Sequence, residues 1–257
     1  MRYIISQRSL GRQPLTPLSI CVALLCCRHF SSTATTATVS ALKTVVITGS
    51  TRTEGPPRPI LGPRVARYIC SSLESRGHVV SAVLDPSSLL LLEKPHFAYS
   101  KRQVPPKLQE MADALEAADC YVAITPEYNH APSPGLINIL NHFVSSLFSF
   151  KPSAIVSYSA GQWGGTRAAH ALRPILSELG CLPVSAMIHV PQAQDVFDEQ
   201  GNFIVVGDEQ QQWDAYTDRC LSQLEWWGEA ARQHKQRVDP FQVSPAFTKS
   251  PTQRNAP

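Results

Sequence analysis

Short, almost uninterrupted apolar runs alternate with amphipathic stripes between residues 43 and 190, and this alternation limits the fold more than any other feature. Lys43–Thr48 reads KTVVIT; His78–Leu84, Cys120–Ile124, Ala154–Ser157 and Leu182–Val190 are further extended runs. Between them, Gly62–Arg76 carries apolar residues at 65, 66, 69, 70 and 73, and Pro106–Ala118 sets Leu108, Met111, Ala112 and Leu115 on one face. Gly135–Phe148 and Thr166–Leu179 read as helices too, and Gly77 stands where a C-cap glycine belongs. Strands without a polar face, separated by helices, form a parallel sheet covered on both sides.

Five such strands in one βα series predict an α/β fold: a flavodoxin-like three-layer α/β/α sandwich with a five-stranded parallel sheet in order 2-1-3-4-5. The expected domain runs over 43–235, closed by a helix over Glu209–Gln233 that carries Trp213, Trp226 and Trp227. Residues 236–257 are proline-rich with few large apolar groups and read as a disordered tail.

Residues 1–42 read as a disordered targeting presequence. Arg2, Arg8, Arg12 and Arg28 lie in it, and no Asp or Glu occurs before Glu54. Removing those four from 23 Lys+Arg leaves 19 against 20 Asp+Glu, so the overall +3 belongs to the leader. A nucleic-acid partner therefore has little electrostatic support. An Arg-rich, acid-free, Ser/Thr-rich leader points to the mitochondrion, with Arg28–Thr33 similar to a matrix-protease cleavage pattern. The alternatives are a secretory signal, from the apolar run 18–27, or an untargeted extension that leaves the protein cytoplasmic. That run is too short to span a bilayer, which takes about 20 residues.

Cys70, Cys120, Cys181 and Cys220 lie outside the leader, mostly inside apolar runs and without a CxxC, and read as buried thiols. His130, His142 and His170 lack metal-ligand spacing, so no metal site is expected; His142 reads as a core or dimer-face residue.

Three loops follow strands one, three and four, and so share the carboxyl edge of the sheet, where α/β proteins bind ligands. Gly49-Ser50-Thr51-Arg52 offers a tight turn, hydroxyls and a bidentate cation ahead of a helix N-terminus, a set suited to phosphate. It is neither GxxxxGK[ST] nor GxGxxG, which disfavours an NTPase or a Rossmann dinucleotide site. Pro126-Glu127-Tyr128-Asn129 reads as an elaborate loop that can hold a planar ring, or merely wall the following helix. Ser157–Gly165 brings Ser159, Ala160 and Gly161, a large Trp163, and glycines at 161, 164 and 165 that permit close backbone approach.

On those three segments the chain resembles the NAD(P)H-dependent FMN reductase family of flavodoxin-like flavin, quinone and azo-dye reductases, over roughly residues 43–195. The resemblance implies FMN as cofactor and NAD(P)H as co-substrate. It implies phosphate at Ser50 and Arg52, the isoalloxazine against Pro126, Glu127, Tyr128 and Asn129, and the loop Ser159, Ala160, Gly161 closing the far edge. It implies hydride passing from nicotinamide through flavin N5 to a small-molecule quinone, flavin or azo acceptor in a ping-pong cycle, with no catalytic side chain. A homodimer is implied as well, and the aromatic content of 136–150 and the pair Trp226-Trp227 agree with one. The stretch Thr53–Leu61 departs from the pattern, being longer and richer in proline, and it leaves Arg58 as either a candidate third phosphate ligand or a solvent-facing residue.

Two other functions share some of these features. A flavin-binding carrier or sensor needs the same cleft without access for nicotinamide. A serine hydrolase needs Ser159 on an elbow with His189 and Asp195; the Ser at position 157 crowds that turn, and the Asp-before-His order is not met.

Overall fold

The computed structural model describes residues 41–55, 59–89, 104–244 and 248. Residues 1–40 of the expected leader 1–42, Arg58, most of the leucine run 89–92 and nearly all of 245–257 lie outside the described residues.

In chain order the elements are β1 (Lys43–Thr48), α1 (Gly62–Ser75), β2 (Val79–Leu84), a 3-10 turn (Pro86–Ser88), α2 (Pro106–Ala117), β3 (Cys120–Tyr128), β4 (Ala131–Pro132), α3 (Pro134–Asn141), α4 (Ser145–Phe148), β5 (Pro152–Tyr158), α5 (Thr166–Glu178), β6 (Leu182–Pro183), β7 (Ile188–Val190), α6 (Ala193–Val196), α7 (Asp208–Lys235) and α8 (Pro240–Val243). The sheet runs β2-β1-β3-β5-β6, all parallel, with β7 also parallel to β5. This is the expected flavodoxin-like order, with its fifth strand in two pieces.

Period-two burial builds the layers. Val46, Val122, Ile124, Ala154 and Val156 point to one core with Val65, Ile69 and Leu73 of α1 and Cys220, Leu221 and Leu224 of α7. Val45, Ile47, Tyr121, Ala123 and Ile155 point to the other, against α2, α3 and α5. Each large apolar side chain so removed from water contributes roughly 1.5–3 kcal/mol. Helix α7 has Asp208 and Glu209 in its first turn and Arg232, His234 and Lys235 in its last, matching its dipole at both ends.

Three expectations change. The fifth strand breaks after Pro183, where Arg173 binds the carbonyls of Pro183, Val184 and Ser185 and Gln223 takes the amide of Ala186. The helix expected over Gly135–Phe148 splits into α3 and α4. Positions five apart lie about 140° apart around a helix, so only a break lets Phe143 and Phe148 both face the core beside Tyr121. Their burial removes most of the aromatic surface that pointed to a dimer, and His142 is buried with them. The segment Thr125–Tyr128 is strand rather than loop. It extends β3 and turns back into β4 through Asn129 and His130, both at positive φ (51° and 65°), the backbone a two-residue hairpin requires.

All four cysteines of the described residues are free, and burial pushes Cys70 up to about 11 and Cys181 and Cys220 up to about 12. In the region expected to be a disordered tail, Pro240–Val243 form one helical turn, with Phe241 6.5 Å from Phe150 between ring centres. No helix among the described residues is long and apolar enough to cross a membrane.

Candidate functional site

Two glycines let the first loop close against the start of α3. A Cβ on Gly49 would lie 2.5 Å from Ser133 Oγ, and one on Gly135 would lie 2.9 Å from the Gly49 carbonyl. Ser133, the N-cap of α3, accepts from Leu136 N–H at 3.3 Å, donates through its hydroxyl to Gly49 O at 2.5 Å, and gives its own N–H to Thr125 Oγ1 at 3.0 Å. This clamp turns Ser50–Arg52 out over the sheet edge. Arg52 gives its N–H to Ser50 Oγ at 3.2 Å and its guanidinium to Glu54 O at 3.2 Å.

Register brings the second and third loops to the same edge. Thr125 pairs with Ser157 and Pro126 with Tyr158, so the ends of β3 and β5 lie side by side. The Tyr158 ring is buried and hydrogen-bonds Ser50; burial raises its pKa well above the ordinary phenol value, and the bond to Ser50 offsets this only in part. Tyr128 is 40% exposed beside it. The Glu127 carboxylate turns the other way. It accepts Arg167 N–H at 3.2 Å at the start of α5 and pairs with the Arg167 guanidinium. In this arrangement the carboxylate is committed to Arg167, while Glu127 still lines the cleft.

The third loop has engaged carbonyls and open amides. Gln194 donates to Ala160 O at 3.2 Å, and Gly161 O accepts from Gln192 N–H at 3.0 Å and from Ser159 Oγ at 2.8 Å. Among the described residues, the N–H groups of Ala160, Gly161 and Gln162 donate to no backbone acceptor outside the helices and strands. A Cβ added to Gly161 would meet nothing within 4 Å, so local packing does not explain that glycine. Gly164 and Gly165 are a different case from the one expected. Both are buried at positive φ, their Cβ positions 2.8 Å from Pro191 N and 2.9 Å from Ser157 Cβ, so they shape the turn and open no space for a ligand.

Beneath the loop, Ser157 donates to Gly164 O at 2.8 Å and stands 2.8 Å from His189 Nδ1. The single hydroxyl proton is used on Gly164, so His189 carries its proton on Nδ1. Burial lowers the His189 pKa, with His170 and Arg219 adding to the effect. The hydrolase constellation is therefore not assembled: His189 meets Ser157, Ser159 bonds Gly161, and the Asp195 carboxylate accepts from Gln194.

All the expected site residues except Asn129, which sits in the hairpin turn, line one cleft of about 240 Å³: Ser50, Arg52, Pro126, Glu127, Tyr128, Ser159, Ala160 and Gly161. Pro59, Leu61 and Tyr158 line it too, and sequence reasoning missed them. Pairing β3 with β5 at their carboxyl ends would have found Tyr158. Ser50 and Arg52 also border a second hollow of about 580 Å³ along α1, so the cleft continues past the first loop. A flat ring with a phosphorylated tail fits this donor set: an aromatic and proline wall, open amides opposite, and a hydroxyl and guanidinium at one end.

Residues 42–195 match the family described as NADPH-dependent FMN reductase. The chain belongs to that family. An NAD(P)H-dependent FMN reductase of Pseudomonas aeruginosa is 34% identical over 39% of this chain and 56% of its own length. An NADPH azoreductase of Bacillus sp. is 31% identical over 53% of this chain and 69% of its own. The chain thus spans little more than half of the first relative. FerB of Paracoccus denitrificans, a flavoenzyme NAD(P)H:(acceptor) oxidoreductase, superposes with a TM-score of 0.58 over 72% of this chain and 98% of its own, at 18% identity, which shows the shared fold.

Proposed function

We propose that the cleft holds FMN, with the phosphate at Ser50 and Arg52 and the ring between Pro126–Tyr128 and Ser159–Gly161. The chain is then an NAD(P)H-dependent reductase of quinones, flavins or azo compounds. The observation that carries this reading is the third loop, where Ala160 and Gly161 line the cleft with Tyr128, their carbonyls engaged and their amides donating to no backbone acceptor among the described residues.

The chemistry FMN supplies when bound is hydride uptake from NAD(P)H and delivery to an acceptor that takes the nucleotide's place, a ping-pong cycle. The chain binds and orients. Arg52 and Ser50 offset the phosphate charge, and the neutral Tyr158 phenol steadies Ser50. Open amides at Ala160–Gln162 stabilise negative charge at the ring edge, as preorganised dipoles do without reorganising. No side chain here is placed as an acid or base, since Ser159 and Glu127 are held by Gly161 and Arg167.

The Arg-rich leader supports a mitochondrial location. Trp226 and Trp227, 64% and 43% exposed, support a homodimer in place of the aromatics now assigned to the core. Mixing the FMN-loaded chain with NADPH tests the function. Rapid loss of the yellow colour, restored by a quinone, is the expected result. A flavin that stays oxidised would leave a binding protein or carrier instead.

A further inference from the structure

The amino end of β5 opens into another cavity. Seven strand residues, about 20 Å, separate it from the cleft at Tyr158. It holds about 550 Å³, within the roughly 300–1,000 Å³ of small-molecule sites. Pro152, Leu182, Trp227, Ala231 and Val243 supply apolar wall, and two lysines and a histidine, Lys151, Lys235 and His234, stand along it. Among the described residues no Asp or Glu lines it.

The two lysines differ. Lys151 is engaged: its ammonium donates to Leu115 O at 2.6 Å and Glu116 O at 2.9 Å, holding the C-terminal end of α2. Lys235, half-buried on the last turn of α7, makes no hydrogen bond or ion pair through its ammonium among the described residues. Burial lowers its pKa, and Asp119 opposes the shift from a distance. A half-buried ammonium beside an apolar hollow is matched by an anion with an apolar body.

We propose that this cavity binds an organic monoanion with an aryl or alkyl body, its acid group on Lys235 and its body against Trp227 and Leu182. The volume suits one small molecule rather than a protein surface.

The test titrates 11-(dansylamino)undecanoic acid into the full-length chain, with and without saturating FMN, and follows dansyl emission. One probe per chain binds, FMN leaves it in place, and both Lys235→Met and the methyl ester of the probe weaken binding about tenfold or more. Lys235→Arg retains it. The ester arm uses the unaltered protein, so it reads the charge contact even if the Met variant folds poorly. The proposal is overturned by absence of saturable binding, by equal binding of acid and ester, by one probe per two chains, or by displacement with FMN. Loss of the FMN reading alone leaves every arm of this test intact.

Discussion

The two ends of β5 hold polar groups for different purposes. At the amino end, the Lys151 ammonium donates to two carbonyls in the last turn of α2 and serves the fold. At the carboxyl end, the loop after Tyr158 satisfies its carbonyls and leaves its amides open. Ala160, Gly161 and Gln162 are exposed, so their amides are solvated and can turn to a ligand without breaking a contact within the protein. By the same measure Lys235, beside Lys151, belongs with the ligand-facing groups and not with the structural ones.

The contrast breaks most easily at Arg52. Arg52→Ala removes a charge-assisted contact and should raise the FMN dissociation constant roughly 10- to 100-fold, read by quenching of flavin fluorescence; Lys151→Met should leave that constant unchanged. Equal effects from the two variants would erase the distinction between the ends.

Within the third loop, stability and binding should separate. Gly164→Ala forces a side chain onto a backbone at φ +59° and against Pro191, at a cost of about 1–3 kcal/mol in thermal unfolding. Gly161→Ala enters open space, so it should unfold like the unaltered chain and lose FMN affinity only. A Gly161 variant that loses stability would assign that glycine to packing.

The structural end carries a pH signature. Burial holds Lys151 at about 8 against its ordinary 10.5, so the unfolded chain binds its proton more readily between those values. This contribution to stability therefore climbs as pH rises from about 8 to 10.5. The difference between the unaltered chain and Lys151→Met isolates it from the buried thiols, whose raised values act in the opposite sense. Denaturant midpoints across that range should show the gap shifting in favour of the unaltered chain as pH rises, and a constant gap would contradict the assignment.

The smallest effect belongs to Glu127. Its carboxylate caps α5 through Arg167, so Glu127→Gln should cost about 1 kcal/mol of stability and leave FMN affinity almost unchanged. A large loss of affinity would put that charge back on the ligand.

Much of this was legible from residue periods. Near-continuous apolar runs between stripes of period 3.6 locate every strand of the sheet path, and loops following strands one, three and four mark the binding edge before any coordinates. What was not legible depends on contacts distant in sequence. The prolines at 126 and 132 read as loop residues, yet the strand continues because the hairpin needs only Asn129 and His130 at positive φ. Glu127 reads as a ring contact until Arg167, forty residues later, claims its carboxylate. The helix after the hairpin keeps its period through 148, and only the shared core position of Phe143 and Phe148 breaks it.

A crystal structure of the full-length chain grown with FMN tests the central claim most directly. The phosphate should lie within hydrogen-bond reach of Ser50 and the Arg52 guanidinium, the ring against Pro126–Tyr128, and one ring edge on the amides of Ala160–Gln162. Flavin density seated anywhere else, or crystals that stay colourless in saturating FMN, would contradict it.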